Sequence, residues 1–126
     1  MKNPPTVSVF VPYYNDRNFL PQCIESILAQ TFKDFELVLL NHATTDDCRR
    51  IAHSFDDPRI VHIDMPSNLG AGSGMLILEF LKAASGKFAK LFCADDLMRP
   101  DCLEKLVGYM LKHPETDVAF GDMDYV

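Results

Sequence analysis

The sequence of 126 residues lacks several features that would quickly assign it to a class of protein. It has no cluster of lysine and arginine, and its formal net charge is −6. An acidic chain without a basic patch is a poor candidate for binding nucleic acid or an anionic membrane surface. The negative field also repels phosphorylated ligands, so such a ligand would need a metal ion or a local cation.

Paired cysteines and long apolar segments are missing as well. The four cysteines are widely spaced and form no CxxC pair, which argues against a zinc site. Cysteines among apolar neighbours are typical of buried free thiols, so we expect a cytoplasmic protein; a peripheral position at the inner face of the cell membrane also fits. No run is long enough to cross a bilayer, and no signal-peptide segment follows the N-terminus.

The familiar catalytic and nucleotide-binding motifs do not occur either. The chain contains no HExxH, GxSxG or GxGxxG motif, and no glycine loop that ends in Gly-Lys-Ser or Gly-Lys-Thr. A glycine-rich stretch, Gly70, Gly72 and Gly74, does precede an apolar helical pattern. It is either a phosphate-binding loop or a flexible connector.

Apolar segments with strand and helix periodicity alternate along the chain. With 48% hydrophobic residues, the sequence predicts one globular domain over residues 1–126. The alternation predicts an α/β fold, a Rossmann-like three-layer α/β/α arrangement with a mostly parallel sheet. Pro12 is expected to close the first strand, and Gly86 to end the third helix. Predicted strands cover residues 6–11, 35–40, 60–63, 88–93 and 118–120, and helices follow residues 18, 45, 74 and 99.

Three loops follow the first, second and fourth of these strands, at residues 12–15, 41–46 and 95–96. The carboxyl ends of parallel strands meet at one edge of the sheet, where ligands of open α/β sheets bind. We therefore expect these loops to form the functional site.

Asp95 and Asp96 are the strongest signal among them, because an apolar run ends abruptly in two carboxylates. Paired carboxylates suit a hard divalent cation that bridges to substrate phosphates. Alternatively, they cap the helix that starts near Pro100. Both acids can reach one ligand only if the backbone turns there, since neighbouring side chains on a strand point to opposite faces.

The other two loops carry weaker signals. Tyr13 and Tyr14 offer aromatic faces on which a base could stack, or they simply pack over the end of the strand. Turn and N-cap chemistry accounts for Thr45 and Asp46. His42 stays ambiguous, because a lone histidine is a weak indication of catalysis.

Taken together, four segments resemble the start of the family 2 inverting glycosyltransferases of the GT-A fold. Their order and spacing fit that family along almost the whole chain. They are Val7-Ser-Val-Phe-Val-Pro-Tyr-Tyr-Asn15, Ile24-Glu-Ser-Ile-Leu-Ala-Gln-Thr-Phe32 with Asp34-Phe-Glu-Leu-Val-Leu-Leu40, Asn68-Leu-Gly70, and Ala94-Asp-Asp-Leu-Met-Arg-Pro-Asp101.

The resemblance implies the N-terminal, donor-binding portion of an enzyme that transfers a sugar, with inversion, from a nucleotide-diphosphate sugar. The acceptor would be a glycan, lipid or polysaccharide, as in cell-envelope polysaccharide biosynthesis. It implies that Pro12 and Tyr14 lie at the base and Asp95 near ribose or sugar hydroxyls, and that Asp96 holds Mg²⁺ or Mn²⁺. Asn15 and His42 complete the expected nucleotide-binding set.

The sequence departs from the family pattern at three places. Asn41 and His42 stand where the family usually has two acids, the second of which recognises the base. Met75-Leu76 replaces a frequent Arg-Asn pair, and Cys93 stands where an acid is common.

No catalytic residue is predicted. Inverting transfer needs a base that takes the acceptor proton, and the family's base lies beyond the position matched by Val126. Asp122 and Asp124 have no motif that makes either one the base. Two alternatives remain: a non-catalytic binding module of the same fold, or a nucleotidyltransferase, although residues 12–15 lack the basic glycine-rich loop expected of the latter.

Overall fold

Strands and helices alternate along the chain as predicted. The computed structural model describes residues 3–125; residues 1, 2 and 126 of the predicted domain lie outside this range. Among the described residues, no helix is long and apolar enough to span a membrane. The strands are β1 (Val7–Tyr13), β2 (Phe35–Asn41), β3 (Ile60–Asp64) and β4 (Phe88–Leu91), and the helices are α1 (Leu20–Leu28), α2 (Cys48–His53), α3 (Gly74–Ala83) and α4 (Cys102–Lys112).

The four strands form one parallel sheet in the order β3-β2-β1-β4. The two central strands are almost fully buried because helices cover both of their faces. The α/β prediction with a parallel sheet between helices is therefore confirmed.

Alternating residues of β1 and β2 serve two separate cores. One face, including Val9, Val11, Leu37 and Leu39, packs against α1, α2 and α4. The opposite face of the sheet, with Phe10, packs against α3. The sheet therefore holds the carboxyl ends of its strands between two apolar layers.

The end of β1 differs from the prediction, because the strand continues through Pro12 to Tyr13. In this strand the backbone N–H and carbonyl groups of the even-numbered residues point toward β4, as the bond from the Phe92 N–H to the Phe10 carbonyl shows. Pairing with β4 ends at Phe10, so the N–H that proline lacks would have had no partner in the ladder. Proline therefore ends only the pairing on that side.

The role expected of Gly86 is also wrong, because α3 already ends at Ala83 and its C-cap residue, Ala84, is extended. Gly86 instead passes close to the start of β1, and its N–H donates to Ser8 Oγ at 2.8 Å. A Cβ at this position would lie 2.6 Å from the Ser8 nitrogen. Glycine is required here by close contact between two backbone segments.

The predicted fifth strand over residues 118–120 is not formed. Residues 117–119 instead line a cavity of about 310 Å³ together with β4 and α4. Val118 is 76% exposed. An apolar run becomes a strand only where a neighbouring strand pairs with it, and sequence periodicity does not reveal that partner.

Candidate functional site

The loops after β1 and β2 are joined at the carboxyl edge of the sheet by Asn15. Its side-chain oxygen accepts hydrogen bonds from the backbone nitrogens of Thr45 at 2.9 Å and Asp46 at 3.2 Å. Its own N–H donates to Thr44 Oγ1 at 2.9 Å. Asn15 has a φ of 52°, a region that asparagine tolerates better than most residues. The side chain that was expected to contact a nucleotide thus holds two loops together.

Pro12 and Tyr14, which flank Tyr13 next to this junction, differ in exposure. Pro12 is half-buried at the end of β1, and Tyr14 is 43% exposed. Tyr13 belongs to the core instead, and burial raises the pKa of its phenol. Of the two tyrosines, only Tyr14 offers an aromatic face to a ligand.

His42 connects the second loop to the glycine-rich loop. The imidazole is 6% exposed, and its Nε2 accepts a hydrogen bond from the Leu69 N–H at 2.8 Å. Its backbone N–H donates to the Tyr13 carbonyl at 3.0 Å. Because Nε2 acts as an acceptor, the neutral ring carries its proton on Nδ1 and presents a donor there. No sequence pattern indicates this contact, since residues 42 and 69 lie in different loops.

The glycine-rich loop itself is tightly turned. Gly70 and Gly72 have positive φ angles of 88° and 76°, which strongly favour glycine. Ser73 caps α3 by accepting a hydrogen bond from the Met75 N–H. The loop thus contacts His42 through Leu69 and leads into the N-terminus of α3, which suits either of the two roles expected of it.

Cys93, Asp95 and Asp96 form a cluster in the turn after β4. One potential ligand atom from each side chain lies within 4.8 Å of the other two, and all three residues are exposed. The backbone turns because the Asp96 N–H donates to the Cys93 carbonyl at 3.2 Å. The turn required for both acids to reach one ligand is therefore present.

The structure does not support the alternative role of the two acids as a helix cap. Helix α4 begins at Cys102, and the residue at its N-cap position is Asp101. Asp95 and Asp96 precede that position and lie beside Cys93 instead. Partial desolvation raises the pKa of the Cys93 thiol, and the adjacent carboxylates of Asp96 and Asp95 raise it further.

Gln30 at the end of α1 fixes the segment that follows the acidic turn. Its side chain is fully buried, donates to the Arg99 carbonyl at 2.7 Å and accepts from the Leu103 N–H at 3.0 Å. Ser26 Oγ adds a bond by accepting from the Met98 N–H at 3.0 Å. Sequence reasoning missed both residues as positioning groups, although a glutamine beside an apolar helical stripe was the available signal.

Asn41 and Asp64 lie opposite each other at the ends of β2 and β3. Asn41 Nδ2 donates to Asp64 Oδ1 at 3.0 Å, while Asn41 Oδ1 accepts from the Thr44 N–H at 2.9 Å. Hydrogen bonds from Arg49 hold the pKa of Asp64 below its usual range, so it is ionised at neutral pH. The neutral amide of Asn41 thus donates to the Asp64 carboxylate and accepts from the Thr44 N–H. A carboxylate at this position could accept from the Thr44 N–H but could not donate to Asp64.

We therefore expect Asn41→Asp to lower the free energy of unfolding by about 1–3 kcal/mol at neutral pH. The substitution removes the hydrogen bond to Asp64 and places two carboxylates opposite each other. Like charges raise each other's pKa, so the deficit should shrink as the pH falls and the pair takes up a proton. Urea denaturation at several pH values measures this. The double variant Asn41→Asp/Asp64→Asn reverses the bond and should recover most of the loss; equal losses in the single and double variants would refute this explanation.

Comparison with known families identifies the chain. The model of glycosyl transferase family 2 matches residues 8–125. The chain belongs to this family. The predicted resemblance is confirmed over nearly the whole sequence.

Individual relatives and solved structures agree. Glycosyltransferase GlyA of Streptococcus pneumoniae is 31% identical over 92% of this chain and 16% of its own length. Chondroitin synthase of Escherichia coli is 32% identical over 82% of this chain and 15% of its own. TarS 1–349 of S. aureus has a TM-score of 0.80 and 25% identity over 86% of this chain and 33% of its own. The chain thus spans a third or less of these proteins.

Proposed function

We propose that this chain is the donor-binding part of a glycosyltransferase that takes its sugar from a nucleotide diphosphate. The observation that carries the proposal is the meeting of three polar loops and a cluster of metal-ligand atoms at the carboxyl edge of a parallel sheet. A structure of TarS, 25% identical with a TM-score of 0.80, is a complex with UDP. Transfer with inversion to a glycan, lipid or polysaccharide acceptor, as in cell-envelope polysaccharide synthesis, belongs to the same proposal.

The proposed contacts follow from exposure and position. Tyr14 stacks on the base, with Pro12 beneath it. The Nδ1–H of His42 donates a hydrogen bond to the base. Asp95 accepts hydrogen bonds from ribose or sugar hydroxyls, and Asn15 keeps the two loops at the base in register.

A divalent cation fits the acidic turn, because two carboxylates and a thiol place ligand atoms within 4.8 Å of one another. We propose Asp96 as a ligand and Mg²⁺ or Mn²⁺ as the cation. The chain's charge of −6 makes a cation necessary for binding a diphosphate. When bound, the metal would stabilise negative charge on the departing nucleoside diphosphate.

Calorimetric titration with UDP, GDP and dTDP, with and without Mn²⁺, tests this proposal. We expect at least one nucleotide to bind, and to bind more tightly when Mn²⁺ is present. Failure of all three to bind under both conditions would contradict the proposal.

A non-catalytic binding module is the second candidate. It is favoured by Asn41 and His42, whose side chains bond to Asp64 and to the Leu69 N–H in place of a pair of free acids. Sugar transfer or donor hydrolysis by a protein that contains this chain would exclude it. The match to glycosyl transferase family 2 goes against the nucleotidyltransferase alternative.

A further inference from the structure

Cys93 lies in the acidic turn itself. Its sulfur lies within 4.8 Å of a carboxylate oxygen of both Asp95 and Asp96, and its side chain is exposed. A metal ion held by Asp96 would therefore lie close to a thiol. The donor set differs from the all-oxygen environment that Mg²⁺ prefers.

The backbone that carries this thiol is held by the surrounding fold. The buried Cys23 thiol donates to the Cys93 carbonyl at 3.4 Å, and the Phe92 N–H donates to the Phe10 carbonyl at 2.9 Å. The Asp96 N–H closes the turn on the same Cys93 carbonyl. The backbone that carries the sulfur is thus held from the core side and from the turn, so the sulfur is presented with the carboxylates.

Ligand chemistry then decides which cation such a site favours. Carboxylate and water ligands suit Mg²⁺, whereas a thiolate favours softer ions such as Zn²⁺. A coordinating thiol loses its proton to solvent when the metal binds. One sulfur and the carboxylate of Asp96 would also leave coordination positions open for diphosphate oxygens.

We propose that Cys93 is a ligand of the metal in the donor site, and that its sulfur shifts the preference of this site from Mg²⁺, one of the two cations proposed above, toward thiophilic divalent cations, Zn²⁺ and Co²⁺. The inference rests on the proposed function only in assuming that a divalent cation occupies this turn. It assigns a role to the residue that departs from the acid common in the family.

Titration of the 126-residue chain with Co²⁺ in the absence of nucleotide tests the inference through its absorption spectrum. We expect a near-ultraviolet thiolate-to-cobalt charge-transfer band that Zn²⁺ displaces and that a large excess of Mg²⁺ leaves in place. Cys93→Ser should abolish the band, and Cys93→Asp should abolish it while narrowing the preference for Co²⁺ over Mg²⁺ by about 10-fold or more. Cys102→Ser, which changes a half-buried cysteine in α4, should keep the band.

The inference is overturned if Co²⁺ gives no such band, or if the band survives in Cys93→Ser. It is also overturned if Cys93→Ser and the unaltered chain discriminate equally between Co²⁺ and Mg²⁺. Titration of Cys93→Ser and of the unaltered chain with UDP and Mn²⁺ distinguishes the role of Cys93 from the proposed function. UDP binding that is equal in both, without a cobalt–thiolate band, would remove the role of Cys93 and leave the proposed function standing.

Discussion

Replacement of Asp96 by alanine is expected to remove the metal-dependent part of nucleotide binding. Even outer-shell partners of a metal ligand are typically worth about 10–100-fold in metal affinity, so loss of a ligand should weaken metal-dependent UDP binding by about 100-fold or more. Asp96 is exposed, so the fold should tolerate the change. Titration of UDP at fixed Mn²⁺, beside thermal unfolding of the same sample, measures both quantities.

The matched control for this prediction is Asp56→Ala. Asp56 is exposed and precedes β3, at the opposite edge of the sheet. The Asp56→Ala substitution removes the same unit of negative charge as Asp96→Ala. It therefore measures any general effect of net charge on the binding of an anion. We expect the control to bind UDP as the unaltered chain does; an equal loss in both variants would show that overall charge, and not ligation, governs the affinity.

Gly86→Ala is expected to cause a large loss of stability. The new Cβ would lie 2.6 Å from the Ser8 nitrogen, 2.7 Å from Ser8 Oγ and 2.8 Å from the Val7 carbonyl carbon. Two of these atoms are backbone atoms of the central strand β1, so neither can rotate away. We expect a loss of about 3 kcal/mol, the upper end for overpacking, and a fall in Tm on the order of 10 °C.

Gly108→Ala provides a control of opposite sign. Gly108 lies inside α4, and a Cβ there would meet no atom within 4 Å. Alanine is the better helix former by roughly 0.8–1 kcal/mol, so this variant should be more stable than the unaltered chain. If the two glycine variants changed stability in the same direction, close packing of Gly86 on β1 would not be the reason for that glycine.

Periodicity was sufficient to predict the eight helices and strands of the described chain, because strands buried on both faces read as continuous apolar runs. It failed where a neighbour in space decides the outcome. Strand β1 can continue to Tyr13 because the missing N–H of Pro12 lies on the β4 side, where pairing has already ended. Residues 118–120 form no strand because no neighbouring strand pairs with them. Gly86 looked like a helix terminator because its contact with Ser8, 78 residues away, leaves no mark in the local sequence.

The position of the candidate site was predictable from the order of the strands, but its internal hydrogen bonds were not. Topology alone brings the ends of β1, β2 and β4 to one edge, so the loops that contain Tyr14, His42 and Asp96 could be expected there. The bonds that organise those loops are long-range and side-chain specific. The His42–Leu69 bond and the anchoring of Arg99 by Gln30 join positions 27 and 69 residues apart, so no local pattern indicates which partner either side chain has.

The central claim is that a nucleotide diphosphate and its metal bind at the carboxyl edge of this sheet. Paramagnetic broadening by Mn²⁺ in amide spectra of the isotope-labelled chain, recorded with UDP present, tests it most directly. The account predicts broadening of the amides of residues 94–97, Tyr14 and His42, with sharp signals for Asp34, Asp56 and Gly86 at the opposite edge. Broadening centred on the opposite edge, or spread evenly over the chain, would contradict it.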